Sequence, residues 1–171
     1  MNQSTIILLA SARKESETLE VVEKIFPAKN ITCIDLLDEK ISPYNYAHEY
    51  PSDDGFYTII ERCFDYKNII FATPVYWYSM SGILKIFFDR LTGIVTVEKS
   101  LGRKLAGKKM ALIALGTDAE IPPGFEIPFF STAAYFNMQF LGFLYCCTKN
   151  KKHMNLSPER VNEFLKIFEN K

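Results

Sequence analysis

The pattern of hydrophobic and polar positions alternates between short apolar runs and longer segments with helical periodicity. Continuous apolar runs are typical of strands that are covered on both faces, as in the middle of a parallel sheet. Alternation of such strands with helices is typical of the α/β class. The pattern therefore predicts an α/β fold whose five strands are marked by the apolar runs Thr5–Ala10, Ile31–Leu36, Ile69–Phe71, Met110–Leu115 and Leu141–Cys147.

Five helices are predicted from apolar residues at helical spacing. Pro27 ends the first, and Pro158 stands at the first position of the last, a place where proline is common. The segment Thr92–Lys104, which holds Gly93 and Gly102, is predicted to be a linker. Candidate N-caps are Ser16 or Thr18, a residue of Ser52–Asp54, Ser79 or Ser81, and Ser157. The helices lie around Leu19–Phe26, Phe56–Cys63, Ile83–Leu91, Ser131–Gln139 and Val161–Phe168.

Composition predicts one soluble globular domain over residues 1–171, since 48% of the chain is apolar. The 20 basic and 20 acidic residues cancel, so charge gives no reason to expect nucleic acid or an anionic membrane as a partner. No apolar run reaches the ~18 residues of a membrane helix, and we expect a cytoplasmic protein. The four cysteines lie in apolar segments without zinc spacing, so we expect buried thiols and no metal site.

Two polar or aromatic loops follow predicted strands and carry the candidate chemistry. The loop Ser11–Thr18 offers hydroxyl groups and the Arg13 guanidinium at the start of a helix, where free N–H groups and the helix dipole favour a phosphate. It lacks the glycines of a P-loop or a dinucleotide fingerprint. A helix cap beside a solvated arginine explains this loop equally well.

The second loop places Tyr76, Trp77 and Tyr78 in a row after Thr73 and Pro74, which end the third strand. Its alternative interpretations are packing in the core or a partner surface. Carboxyl ends of parallel strands are where flat ligands bind in such sheets. A phosphate loop and an aromatic platform at the same edge together predict a nucleotide-like cofactor.

The segment Thr73–Arg90, T-P-V-Y-W-Y-S-M-S-G-x-L-K-x-F-F-D-R, resembles the flavin-loop signature of flavodoxin-like NAD(P)H-dependent FMN reductases. This group includes the NADPH-dependent FMN reductase and NAD(P)H dehydrogenase (quinone) families. The loop Ala10–Thr18 is similar to their phosphate loop, usually G-S-P-R-x-x-[GS]-N-T, with Glu17 in the place of the asparagine. The resemblance implies a flavodoxin-like three-layer sandwich, with a five-stranded parallel sheet of order 2-1-3-4-5 and helices on both faces.

The resemblance implies FMN as the cofactor and NAD(P)H as the co-substrate. No side chain is implied as a catalytic acid or base, because the flavin carries the chemistry. The implied cofactor-binding residues are, for the phosphate, Ser11, Arg13, Ser16 and Thr18, for the ring and ribityl chain, Pro74, Val75, Tyr76, Trp77, Tyr78 and Ser79, and for the other side of the ring, Gly116, Thr117 and Asp118.

The implied activity is transfer of a hydride from the nicotinamide to the flavin, and then reduction of a quinone, an azo or nitro compound, or free flavin. One alternative is a flavodoxin-type electron carrier, although such carriers are usually strongly acidic and this chain has no net charge. A second is a flavin-free interaction relative, because the Glu17 carboxylate is unfavourable beside a phosphate. The resemblance also implies a homodimer, to which the aromatic residues around Phe125–Phe136 would contribute if they are not core.

Overall fold

A computed structural model of the protein describes residues 4–27, 31–149 and 156–168. Five strands form one parallel sheet in the order β2-β1-β3-β4-β5. The predicted fold class and strand order are therefore confirmed. The strands are β1 (Thr5–Leu9), β2 (Thr32–Asp35), β3 (Asn68–Pro74), β4 (Lys109–Gly116) and β5 (Gln139–Cys147).

Helices cover both faces of the sheet and make three layers. Alternate residues of β1 explain its continuous apolar run, since Ile6 and Leu8 belong to one core and Ile7 and Leu9 to the other. No helix among the described residues is long and apolar enough to cross a membrane. The helices are α1 (Glu17–Ile25), α2 (Phe56–Cys63), α3 (Gly82–Thr96), α4 (Lys99–Arg103), α5 (Ile127–Tyr135) and α6 (Pro158–Lys166).

The predicted linker Thr92–Lys104 is wrong, because α3 continues to Thr96 and α4 follows. The two glycines suggested a break, but both are places of close approach. A Cβ on Gly93 would lie 3.0 Å from the Tyr57 hydroxyl, and one on Gly102 would lie 2.5 Å from the Ile94 carbonyl oxygen. Glycine is therefore required here for packing between elements.

The predicted helix Ser131–Gln139 is shifted by four residues at each end, because α5 begins near Pro128 and Gln139 already belongs to β5. Proline fits the first turn of a helix, where its missing N–H has no helical partner. The expectation of buried cysteines is wrong for Cys33, which is exposed. The N-cap position of α2 is Gly55, but Asp54, one of the three predicted capping residues, accepts a 3.2 Å hydrogen bond from the N–H of Phe56, the first residue of the helix.

Asp54 also forms a buried ion pair with Arg90 of α3, and their side chains are 4% and 1% exposed. Two parallel hydrogen bonds of 2.8 and 2.9 Å join the guanidinium to the carboxylate. Arg90 also donates to the Ser42 carbonyl, its guanidinium carbon lies 3.3 Å from the centre of the Tyr50 ring, and the Ser42 N–H donates to Asp54. The pair therefore fastens the segment between β2 and α2 onto α3.

We expect Asp54→Asn to lower the free energy of unfolding by about 3–5 kcal/mol at pH 7, because the Arg90 guanidinium would stay buried without its counter-charge. Burial favours a higher pKa for Asp54, but the hydrogen bonds from Arg90, Ser42 and Phe56 hold it below the ordinary value. Its stabilising contribution is therefore complete above the unfolded pKa of about 4 and is lost as the pH falls through the folded pKa. Urea unfolding of both proteins at pH 7 and pH 3 measures this.

Asp53→Asn is the matched control, since Asp53 forms an exposed ion pair with Lys40. Exposed pairs contribute little to stability because solvent screens them, so this variant should unfold close to the wild type. Equal stability of Asp54→Asn and the wild type at pH 7 would contradict the role given to the buried pair.

Candidate functional site

A cleft opens at the carboxyl edge of the sheet, where the loops after β1, β3 and β4 meet the end of β5. Register across the sheet brings the strand ends together, with Leu9 beside Ala72, Pro74 beside Leu115, and Gly116 beside Cys147. The crevice at the ends of parallel strands is the common ligand site of such folds. The cleft is lined by Ser11, Arg13, Ser16, Glu17, Thr18, Pro74, Val75, Tyr76, Leu115, Gly116, Thr117 and Thr148.

Ser81 connects the loop after β1 to the loop after β3 through hydrogen bonds. Its hydroxyl donates a 2.7 Å hydrogen bond to the carbonyl of Ala10 and accepts from the N–H of Leu84, so it is the N-cap of α3. Its own N–H donates to the Thr73 hydroxyl at 3.1 Å. Because Ser81 is 1% exposed, this network is fixed in the core, and it sets the separation of the loops after β1 and β3.

The loop Ser11–Thr18 presents hydrogen-bonding groups that have no protein partner. Ser16 caps α1 by accepting from the N–H of Leu19 at 3.1 Å. Ser11 and Thr18 are 3% and 2% exposed, yet neither hydroxyl bonds to another described residue, and both line the cleft. The N–H groups of residues 11–18 likewise donate to no other backbone group of the described chain. The Ser11 and Thr18 hydroxyl oxygens are not among the fully buried, unpaired atoms of the described residues, so they open onto the cleft and are available to a ligand rich in acceptors.

The two cations of this loop differ, because one is held in ion pairs and the other has no ion pair with a described residue. Lys14 pairs with Asp35 and Asp38 on the far side of the loop. Arg13 lines the cleft and has no ion pair with a described residue. Glu17 also lines the cleft, and neither Arg13 nor Lys14 neutralises it. An anion in the cleft would therefore meet one cation and one carboxylate.

The aromatic loop is a tight two-residue hairpin rather than a packed segment. Tyr76 and Ser79 exchange backbone hydrogen bonds of 2.9 and 3.0 Å. Trp77 and Tyr78 between them have φ values of 49° and 63°, a left-handed conformation that bulky residues rarely adopt and that costs on the order of 1–3 kcal/mol each. Their side chains are 93% and 71% exposed. The hairpin therefore presents aromatic rings to solvent at the mouth of the cleft.

On the third side, the β3–β4 ladder ends where the cleft begins. The last bond runs from the N–H of Val75 to the carbonyl of Leu115 at 2.6 Å. Beyond it, the N–H of Thr117 has no acceptor among the described residues. The carbonyl of Gly116 turns the other way and accepts from the N–H of Thr148 at 2.8 Å. The splitting of the ladder leaves a peptide donor beside the cleft.

Nine of the thirteen residues predicted for the site line the cleft, and four lie outside its lining, namely Trp77, Tyr78, Ser79 and Asp118. The sequence reasoning missed Glu17, Leu115 and Thr148 as lining residues. In the sequence, Glu17 is a departure from the phosphate-loop pattern and an unfavourable charge beside a phosphate, which did not identify it as a lining residue. Thr148 directly follows the fifth apolar run, so the rule that located the other loops could have found it.

A sequence model of the NADPH-dependent FMN reductase family matches residues 4–121, a segment that contains all three loops. The chain belongs to this family. The protein is accordingly an NAD(P)H-dependent FMN reductase, and FMN is its cofactor. The family model ends before β5, so Thr148 lies outside the matched segment.

Two curated relatives from Bacillus subtilis (strain 168) are similar to parts of this chain. YwqN, described as an NAD(P)H-dependent FMN-containing oxidoreductase, is 37% identical over 70 residues, which are 40% of this chain and 39% of YwqN. YrkL, described as an NAD(P)H oxidoreductase, is 29% identical over 150 residues, which are 75% of this chain and 83% of YrkL.

Among solved structures, general stress protein 14 of Treponema denticola in complex with FMN superposes with a TM-score of 0.67 at 16% identity. The superposition covers 97% of this chain and 98% of that protein. At this identity the likeness shows the shared flavodoxin-like fold.

The residues of the cleft fit FMN. A phosphate supplies acceptors for the Ser11 and Thr18 hydroxyls and for the free N–H groups of their loop. Arg13 supplies a positive charge, and Tyr76 lines the cleft at its other side. The Glu17 carboxylate is the one group that opposes a phosphate.

We expect Glu17→Gln to strengthen FMN binding by about three- to tenfold at low salt, because it removes a negative charge beside the phosphate. The gain should shrink as salt is added, since salt screens exposed charges. Quenching of FMN fluorescence on titration with protein measures both effects.

Glu20→Gln is the matched control, because Glu20 lies in the same first turn of α1 but is exposed and outside the lining of the cleft. It should leave the dissociation constant unchanged. Unchanged or weaker binding by Glu17→Gln would place the phosphate elsewhere.

Proposed function

We propose that this protein oxidises NAD(P)H and passes both electrons through FMN to a small acceptor, namely a quinone, an azo or nitro compound, or free flavin. The net reaction converts NAD(P)H, a proton and the acceptor into NAD(P)⁺ and the two-electron-reduced acceptor. Bound FMN supplies the capacity to take a hydride from the nicotinamide and release the electrons afterwards. The side chains of the cleft bind and orient the cofactor.

The observation that carries this proposal is that Ser11 and Thr18, two largely buried residues, line the cleft with hydroxyl groups that have no partner among the described residues. Together with the free N–H groups of the loop they form a site for a phosphate monoester at the N-terminus of α1. Arg13 adds a charge-assisted hydrogen bond. The absence of any glycine between Ser11 and Thr18 suits a monophosphate held by side chains better than a pyrophosphate wrapped by backbone.

The exposed hairpin is the part of the site that we assign to the ring and to the incoming substrates. Trp77 and Tyr78 present nearly bare aromatic faces, which favour planar partners such as a nicotinamide or a quinone. Strained backbone of this kind clusters at ligand sites. Open access at this edge suits an enzyme in which two different substrates enter in turn.

A visible absorption spectrum under anaerobic conditions tests the proposal. We expect the protein loaded with FMN to bleach on addition of NADH or NADPH and to recover its colour when a quinone is added. The nucleotide that bleaches faster identifies the donor. Bleaching by dithionite but by neither nucleotide would replace the enzyme with an electron carrier, and failure to bind FMN would favour a flavin-free interaction relative.

Selectivity for the phosphate gives a second prediction. We expect Arg13→Gln to weaken FMN binding about tenfold or more and to leave riboflavin binding unchanged, because riboflavin has no phosphate for Arg13 to contact. Fluorescence titrations with the two flavins measure the ratio of their dissociation constants.

Lys14→Gln is the control for this substitution, because Lys14 is the neighbouring cation but is paired with Asp35 and Asp38. Its loss should change neither constant by more than about twofold, in line with the small contribution of exposed pairs. If Arg13→Gln weakened both flavins equally, Arg13 would act on the ring or on the fold and not on the phosphate.

The homodimer implied by the family resemblance stays a prediction. Ile127, Phe130 and Tyr135 of α5 are 58%, 58% and 70% exposed, and they are the apolar surface on which we expect two copies to meet. Light scattering after size exclusion would report the mass of the assembly, and Phe130→Glu should shift it to a monomer.

A further inference from the structure

Three successive carbonyl groups, from Gly116 to Asp118, accept hydrogen bonds from the end of β5 and from Thr148. These bonds hold the loop after β4 in place. Gly116 accepts from the N–H of Thr148 at 2.8 Å and from its hydroxyl at 3.3 Å. Thr117 accepts from the thiol of Cys147 at 3.6 Å. Asp118 accepts from the hydroxyl of Tyr145 at 2.9 Å. Three successive carbonyl groups therefore point at the end of β5 and at Thr148, the residue that follows it.

The same hydrogen bonds fix the direction of the Thr117 N–H group. A trans peptide points its N–H opposite to its C=O, and the described residues contain no cis peptide. With the Gly116 carbonyl on β5, the N–H of Thr117 points to the β3 side of β4, where the cleft opens beside Val75. That N–H has no acceptor in the described chain.

Tyr145 packs so closely against Gly116 that the two residues constrain each other. A Cβ on Gly116 would lie 2.6 Å from the Tyr145 hydroxyl and 3.4 Å from the nearest ring carbons. Only glycine lets the hydroxyl pass β4 and reach Asp118. Burial raises the pKa of Tyr145 to about 12, so the phenol keeps its proton and remains a donor throughout the pH range of a working enzyme.

We propose that Tyr145, supported by Thr148, is a positioning residue that holds the loop Gly116–Asp118 so that the Thr117 N–H donates to the flavin ring. This inference rests on the proposed function, since it concerns the same cleft. Tyr145 lies in β5, beyond the segment that matches the family model, so a residue outside that segment would determine how the ring is held. Tyr145 contacts neither the phosphate loop nor the aromatic hairpin in this scheme, so it acts on the ring alone.

The test is the binding of FMN and riboflavin to Tyr145→Phe, which removes the hydrogen bond and keeps the ring. We expect both flavins to bind about tenfold more weakly, the size of one buried hydrogen bond, with their ratio unchanged. We also expect the midpoint potential of bound FMN to become more negative, because a peptide donor at the ring favours the electron-rich reduced form. A loss of general stability would not move that potential.

A double-mutant cycle makes the test sharper. Gly116→Ala should weaken flavin binding strongly in the wild type, where the new methyl group meets the Tyr145 hydroxyl. It should weaken binding much less in the Tyr145→Phe background, where the nearest atoms would be ring carbons at ordinary contact distance. Additive effects of the two substitutions would overturn the inference.

Tyr46→Phe is the matched control, since Tyr46 is an exposed tyrosine between β2 and α2 outside the lining of the cleft, and it should change nothing. If Tyr145→Phe fails to fold, Thr148→Val removes one hydroxyl from the same series and should give a smaller loss of the same kind. Wild-type binding and potential in Tyr145→Phe would overturn this inference alone. Failure of the unmodified protein to bind FMN would overturn the proposed function instead.

Discussion

The site depends on a single buried hydroxyl group, that of Ser81, which bonds the end of β1 to the start of α3. Without it, the carbonyl of Ala10 would be buried and unpaired, and α3 would lose its cap. Because the N–H of the same residue also bonds to Thr73, the last residues of two strands and the first turn of a helix share one network. The distance between the phosphate loop and the aromatic hairpin follows from that network. The fold thus sets the spacing of the site before any ligand is present.

Much of this could be predicted from the sequence because the informative patterns are local. Apolar runs and helical periods are properties of neighbouring residues, and they located the strands and the loops that line the cleft. The order of the strands came from the family resemblance. The pairing of Asp54 with Arg90 could not be predicted, because it joins residues far apart in the chain across an irregular segment. The glycines near residues 93 and 102 were misread for the same reason, since what they accommodate comes from other elements.

The cleft combines the proposed phosphate site with a charge that opposes it. Net charge is zero for the whole chain, but binding depends on the few groups that face the ligand. Arg13 faces the cleft unpaired, Lys14 is turned away, and Glu17 faces it as well. Backbone donors carry no titratable charge, so the free N–H groups of the loop keep their preference for an anion at any pH. Affinity for the cofactor is therefore set by geometry first and is tuned by these side chains.

We propose that FMN lies with its phosphate on the loop after β1 and its ring beside the loop after β4. Backbone N–H resonances in heteronuclear NMR spectra, recorded with and without FMN, test this placement. We expect large shifts for residues 11–18 and for Thr117, with little change for the amides of α2 and α6. Shifts confined to other surfaces, or none at saturating FMN, would contradict it.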